Sequence, residues 1–289
     1  MVRKVKHALK GLKVRKVGHS GTLDPFATGL LIILLGQGTK LSHFIMSGEK
    51  TYLATMRLGI ETDTLDPTGK VVKTMEVPDL APELIREKAL DFLGDIEQTP
   101  PLYSAVKLNG TRAYKLARKG MDVKLRKRRV TIHSLQILSV DLPEVTMEIK
   151  CSSGTYIRSL AADLGRTLGP GAHLKSLKRL ASGSFKVEDA VCSRKISPGG
   201  MRILLKEGLI SLRSALPDMR EVVVEEPLEK KVRSGYQPSW KEVTSGLKPA
   251  ACEDGHLKLT RDGDLVAIVG VKNRKEGGHG KVKIERVFS

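Results

Sequence analysis

The hydrophobic period changes from two to 3.6 across a single glycine. Val145, Met147, Ile149 and Cys151 alternate with polar residues, the pattern of a strand with one buried face. Gly154 interrupts the run, and Ile157, Leu160, Ala161 and Leu164 then recur at i, i+3, i+4 and i+7 up to Gly165, which predicts a helix. The other periodic segments do not fall into a βαβ rhythm. Helical spacing links Val2, Val5, Ala8, Leu9 and Leu12, and again Ile85, Ala89, Phe92 and Leu93 between Pro82 and Gly94. Strand alternation covers Tyr52, Ala54, Met56 and Leu58, and a further strand opens at Val130 and Ile132. Leu30 to Leu35 reads as a buried segment, and Asp66-Pro67-Thr68-Gly69 as a turn ahead of the apolar pair Val71 and Val72. Strands and helices in this order predict an α+β fold around a mixed, mainly antiparallel sheet.

After about residue 195 the pattern changes. Pro198-Gly199-Gly200 and Pro217 punctuate the chain. From Val222 onward short strands and turns dominate: Val222 to Val224, Asp262-Gly263, Leu265 to Val269 and Val282 to Val287. The expected organisation is a larger domain over 1–215 and a small β-rich domain over 220–289.

Charge narrows the class of partner. Lysine and arginine number 50 against 32 acids, a formal charge of +18. The cations are clustered. Residues 1–20 carry no acid, residues 105–130 carry ten cations and one acid (Asp122), and residues 166–186 carry none of the latter. Three such runs, interleaved with glycine, serine and tyrosine, fit a phosphate-tracking surface, whereas any one alone would read as a solvated face. No apolar run is long enough to span a membrane, and the basic N-terminus lacks the apolar stretch of a secretory signal. Cys151, Cys192 and Cys252 form no CxxC pair, and no GxxxxGK[ST] loop is present. A cytoplasmic protein without metal or nucleotide cofactor is expected.

Three constellations could carry chemistry. In Gly18-His19-Ser20-Gly21-Thr22-Leu23-Asp24-Pro25, the glycines permit close backbone approach, and Pro25 keeps Asp24 out of helical geometry. A carboxylate held there either caps its own turn or faces a partner across it. Arg158 falls in the first turn of the helix after Gly154, where the macrodipole disfavours a cation unless an anion accompanies it. Lys50-Thr51-Tyr52 opens a strand, with Tyr52 either a core residue or a functional ring.

These residues together resemble the TruB family of tRNA pseudouridine synthases. The resemblance runs through His19 to Pro25, Ala27-Thr28-Gly29, Lys50-Thr51-Tyr52, Arg57-Leu58-Gly59 and Thr62-Asp63-Thr64 with Asp66. It continues through Pro100 to Ala105, Gly110 to Gly120, Gly154 to Arg158 and Leu177 to Phe185. The Tyr103-Ser104-Ala105 block looks like the stand-alone tRNA-modifying branch rather than the guide-RNA-dependent one. The C-terminal segment resembles a PUA-like RNA-binding fold. One departure stands out: the family opens with a strand and a Lys-Pro-x-Gly-x-Thr-Ser segment, whereas this sequence starts at Met1-Val2-Arg3-Lys4-Val5, within the expected first helix.

The resemblance implies a pseudouridine synthase fold with a C-terminal PUA-like domain, no cofactor or metal, and a monomer acting on the tRNA T-arm without an obligate protein partner. It implies Asp24 as the catalytic aspartate, nucleophile or base, with Arg158 holding it ionised and Tyr52 stacked on the flipped base. Tyr156 would shape the base pocket, and His19 would fill the place the base leaves. An RNA-binding insertion would span about residues 99–129, with Lys107, Arg112, Arg126, Arg128 and Arg129 on phosphates; Arg179 would also contact substrate. A guide-dependent or rRNA-directed synthase, or a non-catalytic RNA-binding or tRNA-folding protein, are the competing readings.

Overall fold

The computed structural model describes residues 1–12, 14–108, 110–117, 121, 123, 125–244, 254–272 and 280–288. The elements in chain order are α1 (Val2–Ala8), β1 (Val17–His19), β2 (Thr28–Gly29), β3 (Ile33–Leu35), α2 (Ser42–Met46), β4 (Lys50–Leu58), β5 (Ile60–Thr62) and β6 (Val71–Thr74). There follow α3 (Pro82–Leu90), β7 (Gly94–Gln98), β8 (Lys107–Leu108), β9 (Thr111–Arg112), α4 (Ala113–Ala117), β10 (Arg128–Asp141), β11 (Glu144–Cys151) and α5 (Ile157–Thr167). The chain continues with β12 (Ala172–Ser182), β13 (Phe185–Lys186), α6 (Pro198–Glu207), β14 (Arg220–Val223), α7 (Glu226–Arg233), α8 (Trp240–Thr244), β15 (Gly255–Arg261), β16 (Asp264–Lys272) and β17 (Lys281–Val287).

The chain forms two compact units. One joins Gly21–Leu31 to Met46–Ala190, and the other joins Met1–Ser20 and Ile32–Ile45 to Val191–Ser289.

The first unit is built on a sheet in the order β13-β12-β4-β11-β10-β7, all antiparallel, with β2 added in parallel to β12. This is the mixed, mainly antiparallel sheet expected from the sequence. Ala54, Met56 and Leu58 of β4 and Val145, Met147 and Ile149 of β11 face one core. Ile157, Leu160, Ala161 and Leu164 of α5 close it, so the change of period at Gly154 marks where the chain leaves the sheet and covers it. α5 has no side-chain cap of its own. Gln98 at the end of β7 takes that role: its Oε1 accepts from the Tyr156 amide at 2.7 Å and its Nε2 donates to the Tyr156 carbonyl at 2.9 Å. Gly29 has φ +92°, and a Cβ there would meet the Arg179 backbone at 2.3 Å; only glycine lets β2 seat on β12.

The second unit carries the sheet β14-β15-β16-β17, in which only the first pair is parallel. Its core is Val222, Val224, Leu257, Leu259, Val266 and Val269, covered by Val232 of α7 and Val243 of α8. Within this unit Lys40 donates to the Val287 carbonyl at 2.6 Å and lies over the Phe288 ring. A second cluster packs Val5, Ala8 and Leu9 of α1 against Met201 of α6.

Several local expectations change. Val71 and Val72 are 60% and 62% exposed, on a two-stranded ribbon (β5–β6) outside the main sheet. Of Leu30 to Leu35, only Leu30 and Leu34 are buried. The strand β12 and the helices α6, α7 and α8 were not expected. In β12, basic residues at 175, 178 and 179 mask the strand alternation; α7 is read as a charged segment because six of its eight residues are charged or proline. No described helix is long and apolar enough to cross a membrane.

Candidate active site

Asp24 and Arg158 meet in the first unit. The Arg158 Nε lies 2.8 Å from Asp24 Oδ2, and its Nη2 donates to Oδ1 at 3.0 Å. Both carboxylate oxygens thus face one planar guanidinium, Oδ1 through a hydrogen bond from Nη2 and Oδ2 through charge at contact distance, since Nε makes no aligned hydrogen bond among the described residues; a lysine cannot face both oxygens in this way. Arg158 is only 3% exposed. It serves three more acceptors: Asp66 Oδ2 at 3.2 Å, the Thr64 carbonyl at 3.0 Å and the Tyr103 carbonyl at 3.2 Å. The cation placed against the helix dipole therefore has two anions and two carbonyls around it.

Asp66 is the residue sequence reasoning missed. Its turn was legible, its aim was not. Oδ1 accepts from Thr64 Oγ1 at 2.7 Å and from the amide and hydroxyl of Thr68 at 3.0 and 2.6 Å. Oδ2 is left for Arg158. Leu65, between the two groups that reach Arg158, has φ 59°, a left-handed conformation unusual for leucine. The sequence signal was Asp-Pro-Thr-Gly itself: a turn whose aspartate is held by its own neighbours has a rigid second oxygen.

The Asp24 side chain is 31% exposed, open on one side and desolvated on the other. Burial pushes its carboxyl above the ordinary value; Arg158 offsets part of that rise by charge and hydrogen bonding, and the Asp66 charge adds to it. The expectation that Arg158 holds Asp24 ionised is refined accordingly: the arginine opposes protonation, but desolvation is the larger effect.

Tyr52 stands on β4 directly across from Arg179 on β12. Burial raises its phenol above the ordinary value, and the hydrogen bond and charge of Arg179 lower it in part; the Asp24 charge reaches it too. Tyr52 therefore faces Arg179 across the strand pair, within the reach of the Asp24 charge. Arg179 is 1% exposed, and its Nε donates to the Leu30 carbonyl at 2.8 Å and its Nη2 to the Gly21 carbonyl at 3.4 Å. It lies inside the site, not on the basic surface foreseen for residues 166–186. Of the other cations in that run, Arg166 pairs with Glu61 and Asp163 and Lys175 with Glu144, whereas Lys178 and Lys186 are exposed and pair with no acid among the described residues. Lys50 is also buried, with Nζ donating to the carbonyls of Met46 and Gly48, and burial lowers its pKa.

Tyr156 is half-buried at the start of α5, its backbone held by Gln98 as described. His19 belongs to the second unit, on β1 opposite Ile33; its carbonyl accepts from Ser42 Oγ at 3.4 Å, and its buried Nδ1 has no hydrogen-bond partner among the described residues.

The basic insertion is partly neutralised by the sheet edge next to it. Lys107 and Arg112 face each other across the β8–β9 pair, both exposed. Arg129 pairs with Asp95 at 2.9 Å and Lys127 with Glu97 at 3.6 Å, both acids on β7. Arg126 and Arg128 are exposed and pair with no acid among the described residues. Arg118, Lys119, Asp122 and Lys124 of that block, and Cys252, lie outside the described residues.

Residues 9–157 match the model of the TruB family pseudouridylate synthase N-terminal domain, and residues 158–198 that of the tRNA pseudouridylate synthase B C-terminal domain. The chain belongs to the TruB family of pseudouridylate synthases. It is 44% identical over 235 residues to tRNA pseudouridine synthase B of Clostridium kluyveri, covering 81% of this chain and 78% of that protein. It is 39% identical over 257 residues to the protein of the same name from Geobacter sulfurreducens, covering 89% and 84%. Among solved structures, a chain of a Cbf5-Nop10-Gar1 complex superposes with a TM-score of 0.69 at 24% identity, covering 98% of this chain and 80% of that one. A chain of an H/ACA RNP bound to a substrate RNA containing 2'-deoxyuridine gives 0.69 at 22%, covering 99% and 80%. These two establish the shared fold.

Proposed function

We propose that the chain isomerises uridine 55 in the T-loop of tRNA to pseudouridine. The observation that carries this reading is the forked contact of Arg158 with both oxygens of Asp24, on the motif His19 to Pro25 that the family shares. The reaction breaks the N1–C1′ bond, turns the uracil and rejoins C1′ to C5; the C5 proton is lost to solvent and N1 gains one. Asp24 acts at the ribose, as nucleophile or base. Arg158 holds its carboxylate in place, and the start of α5 that carries Arg158 is itself held by Gln98 and by Ser159, whose Oγ donates to the Thr99 carbonyl at 2.8 Å. Tyr52 stacks on the extruded base, its phenol protonated at neutral pH as an ordinary tyrosine's is. Tyr156 shapes the base pocket. His19 takes the place of the base in the T-loop, offsetting part of an extrusion cost of roughly a few kcal/mol.

We further propose that residues 1–215 form the catalytic domain, with an insertion over about 99–129 that closes on RNA, and that 220–289 form a PUA-like RNA-binding domain. Lys107, Arg112, Arg126 and Arg128 contact phosphates. Arg129 does so only by giving up Asp95, and Arg179 acts from within the site.

The test uses tRNA transcript and a bare T-arm minihelix, each labelled with tritium at C5 of uridine. Tritium release from the minihelix by the purified chain alone supports the reading and removes any need for a guide RNA. Binding without release would leave an RNA-binding protein.

A further inference from the structure

We propose that the N-terminal helix α1, together with α6 and the turn before it, forms a second RNA surface that holds the phosphate backbone of a base-paired stem of the substrate. The inference rests on the RNA substrate proposed above, and its test separates the two.

α1 is two-sided. Val5, Ala8 and Leu9 pack on Met201 of α6 and bury one face. Arg3, Lys6 and Lys10, at i, i+3 and i+7, are exposed on α1 and the turn that follows it. At about 1.5 Å rise per residue, Arg3 and Lys6 stand roughly 4.5 Å apart along the axis of α1, and Lys10 lies in the turn just beyond Ala8. The packing gathers further cations on this unit. Lys4 donates to the Ser193 carbonyl at 2.7 Å, which brings Arg194 and Lys195 of the same turn close by. Arg202 and Lys206 lie on α6, and Arg15 and Lys16 lead into β1; all are exposed.

Two properties separate this surface from an ordinary solvated face. The first is the missing counter-charge. Residues 1–20 contain no acid, residues 32–45 contain none, and residues 191–207 contain only Glu207. None of these cations forms an ion pair with a described acid, whereas the insertion cations Lys127 and Arg129 are paired by β7. Ten cations without a described acid partner, five on α1 and α6 and five on the adjoining turns, repel one another unless a polyanion covers them. The second is composition. Neither 1–17 nor 191–207 contains a phenylalanine, tyrosine or tryptophan. Unstacked loop bases are held on aromatic platforms, so a surface with none reads phosphates rather than bases. The fitting occupant is the backbone of a stem.

The experiment measures affinity for full tRNA transcript and for a plain RNA duplex across a potassium chloride series. It compares wild type, Arg3→Gln/Lys6→Gln/Lys10→Gln and a charge-matched control, Lys70→Gln/Lys73→Gln/Arg86→Gln. Each lost phosphate contact lowers the slope of log affinity against log salt by about 0.9. The first variant is expected to bind both RNAs at least about tenfold more weakly at low salt, with a slope lower by about two to three units. The control is expected to stay within about threefold of wild type. Equal losses in both variants would reduce the effect to net charge and overturn the proposal. Unchanged RNA binding with weakened pelleting on anionic vesicles would assign the surface to lipid and overturn it as well. Tritium release at saturating minihelix reports the isomerase reading separately: a wild type that binds through this surface but never turns over would sink that reading and leave this one standing.

Discussion

The start of α5 and the middle of β12 each bury an arginine, and the two guanidiniums are neutralised in opposite ways. Arg158 has two carboxylates and two carbonyls within hydrogen-bond distance. Arg179 has the carbonyls of Leu30 and Gly21 and the phenol of Tyr52. A guanidinium cannot shed its proton, so burial must be compensated where it sits. Carbonyl dipoles compensate less than carboxylates, and what they gain in exchange is a backbone held in place. Arg179 therefore secures the two ends of the 21–30 segment, and Arg158 aims the carboxylate in its middle. One arginine shapes the loop, the other orients the charge on it.

The comparison predicts a ranking. Asp24→Asn should have the largest effect. The amide keeps the shape and loses the charge and nucleophilicity, so turnover should fall by about three orders of magnitude or more while tRNA affinity changes less than about tenfold. Single-turnover tritium release and filter binding check both; turnover within about tenfold of wild type would remove Asp24 from the chemistry. Arg158→Lys comes next. A lysine retains charge but cannot serve Asp24 and Asp66 together with two carbonyls, and turnover should drop about a hundredfold with little change in KM. A fully active lysine variant would mean that charge alone suffices and that the fork is incidental.

Arg179→Lys should show the opposite balance. The Nε bond to Leu30 is lost and the loop is less well held, so unfolding in urea should report a loss of about 1–3 kcal/mol. Turnover should fall only about tenfold, through misplacement of Asp24. A variant that loses activity a hundredfold at unchanged stability would collapse the distinction between the two arginines.

Most of this organisation could be read from the residues, and the part that could not shares one physical cause. Periodicity located β4, β11 and α5, because each buries one face against a core. Arg158 was suspect because a cation opposes the dipole of the helix it begins. Periodicity and charge runs, however, carry no information about neighbours across a sheet. The run 166–186 contains no acid, yet Glu61 and Glu144 come to Arg166 and Lys175 from other elements. Asp95 and Glu97 likewise reach Arg129 and Lys127 from β7. Asp66 was legible as a turn residue, but that its free oxygen meets Arg158 depends on where α5 packs. The β12 strand was hidden because its arginine and lysines interrupt the alternation, one of them turned inward onto backbone carbonyls that no pattern of side chains reveals.

The smallest effect is also the most discriminating, because it reads the balance of burial and charge at Asp24 without any substrate. Burial raises the folded-state pKa of Asp24 above the unfolded value near 3.8, and the two attractions of Arg158 do not fully undo it. In the window between those values the folded protein binds more protons than the unfolded chain, so this carboxyl makes stability fall as pH rises through the window, after which its contribution is constant. Below 3.8 the carboxyl is neutral in both states and Asp24→Asn is nearly isosteric with it. The variant should therefore match wild type at low pH and become the more stable of the two as pH rises, by no more than about 1 kcal/mol because the side chain is partly solvated. Urea unfolding of both proteins from about pH 3 to pH 8 checks this, since the titrations of carboxylates remote from Asp24 cancel in the difference. A variant that instead loses stability relative to wild type on the way to neutrality would show that the ion pair outweighs desolvation. Arg158 would then stabilise the fold as well as aim the carboxylate, and its contrast with Arg179 would narrow to geometry alone.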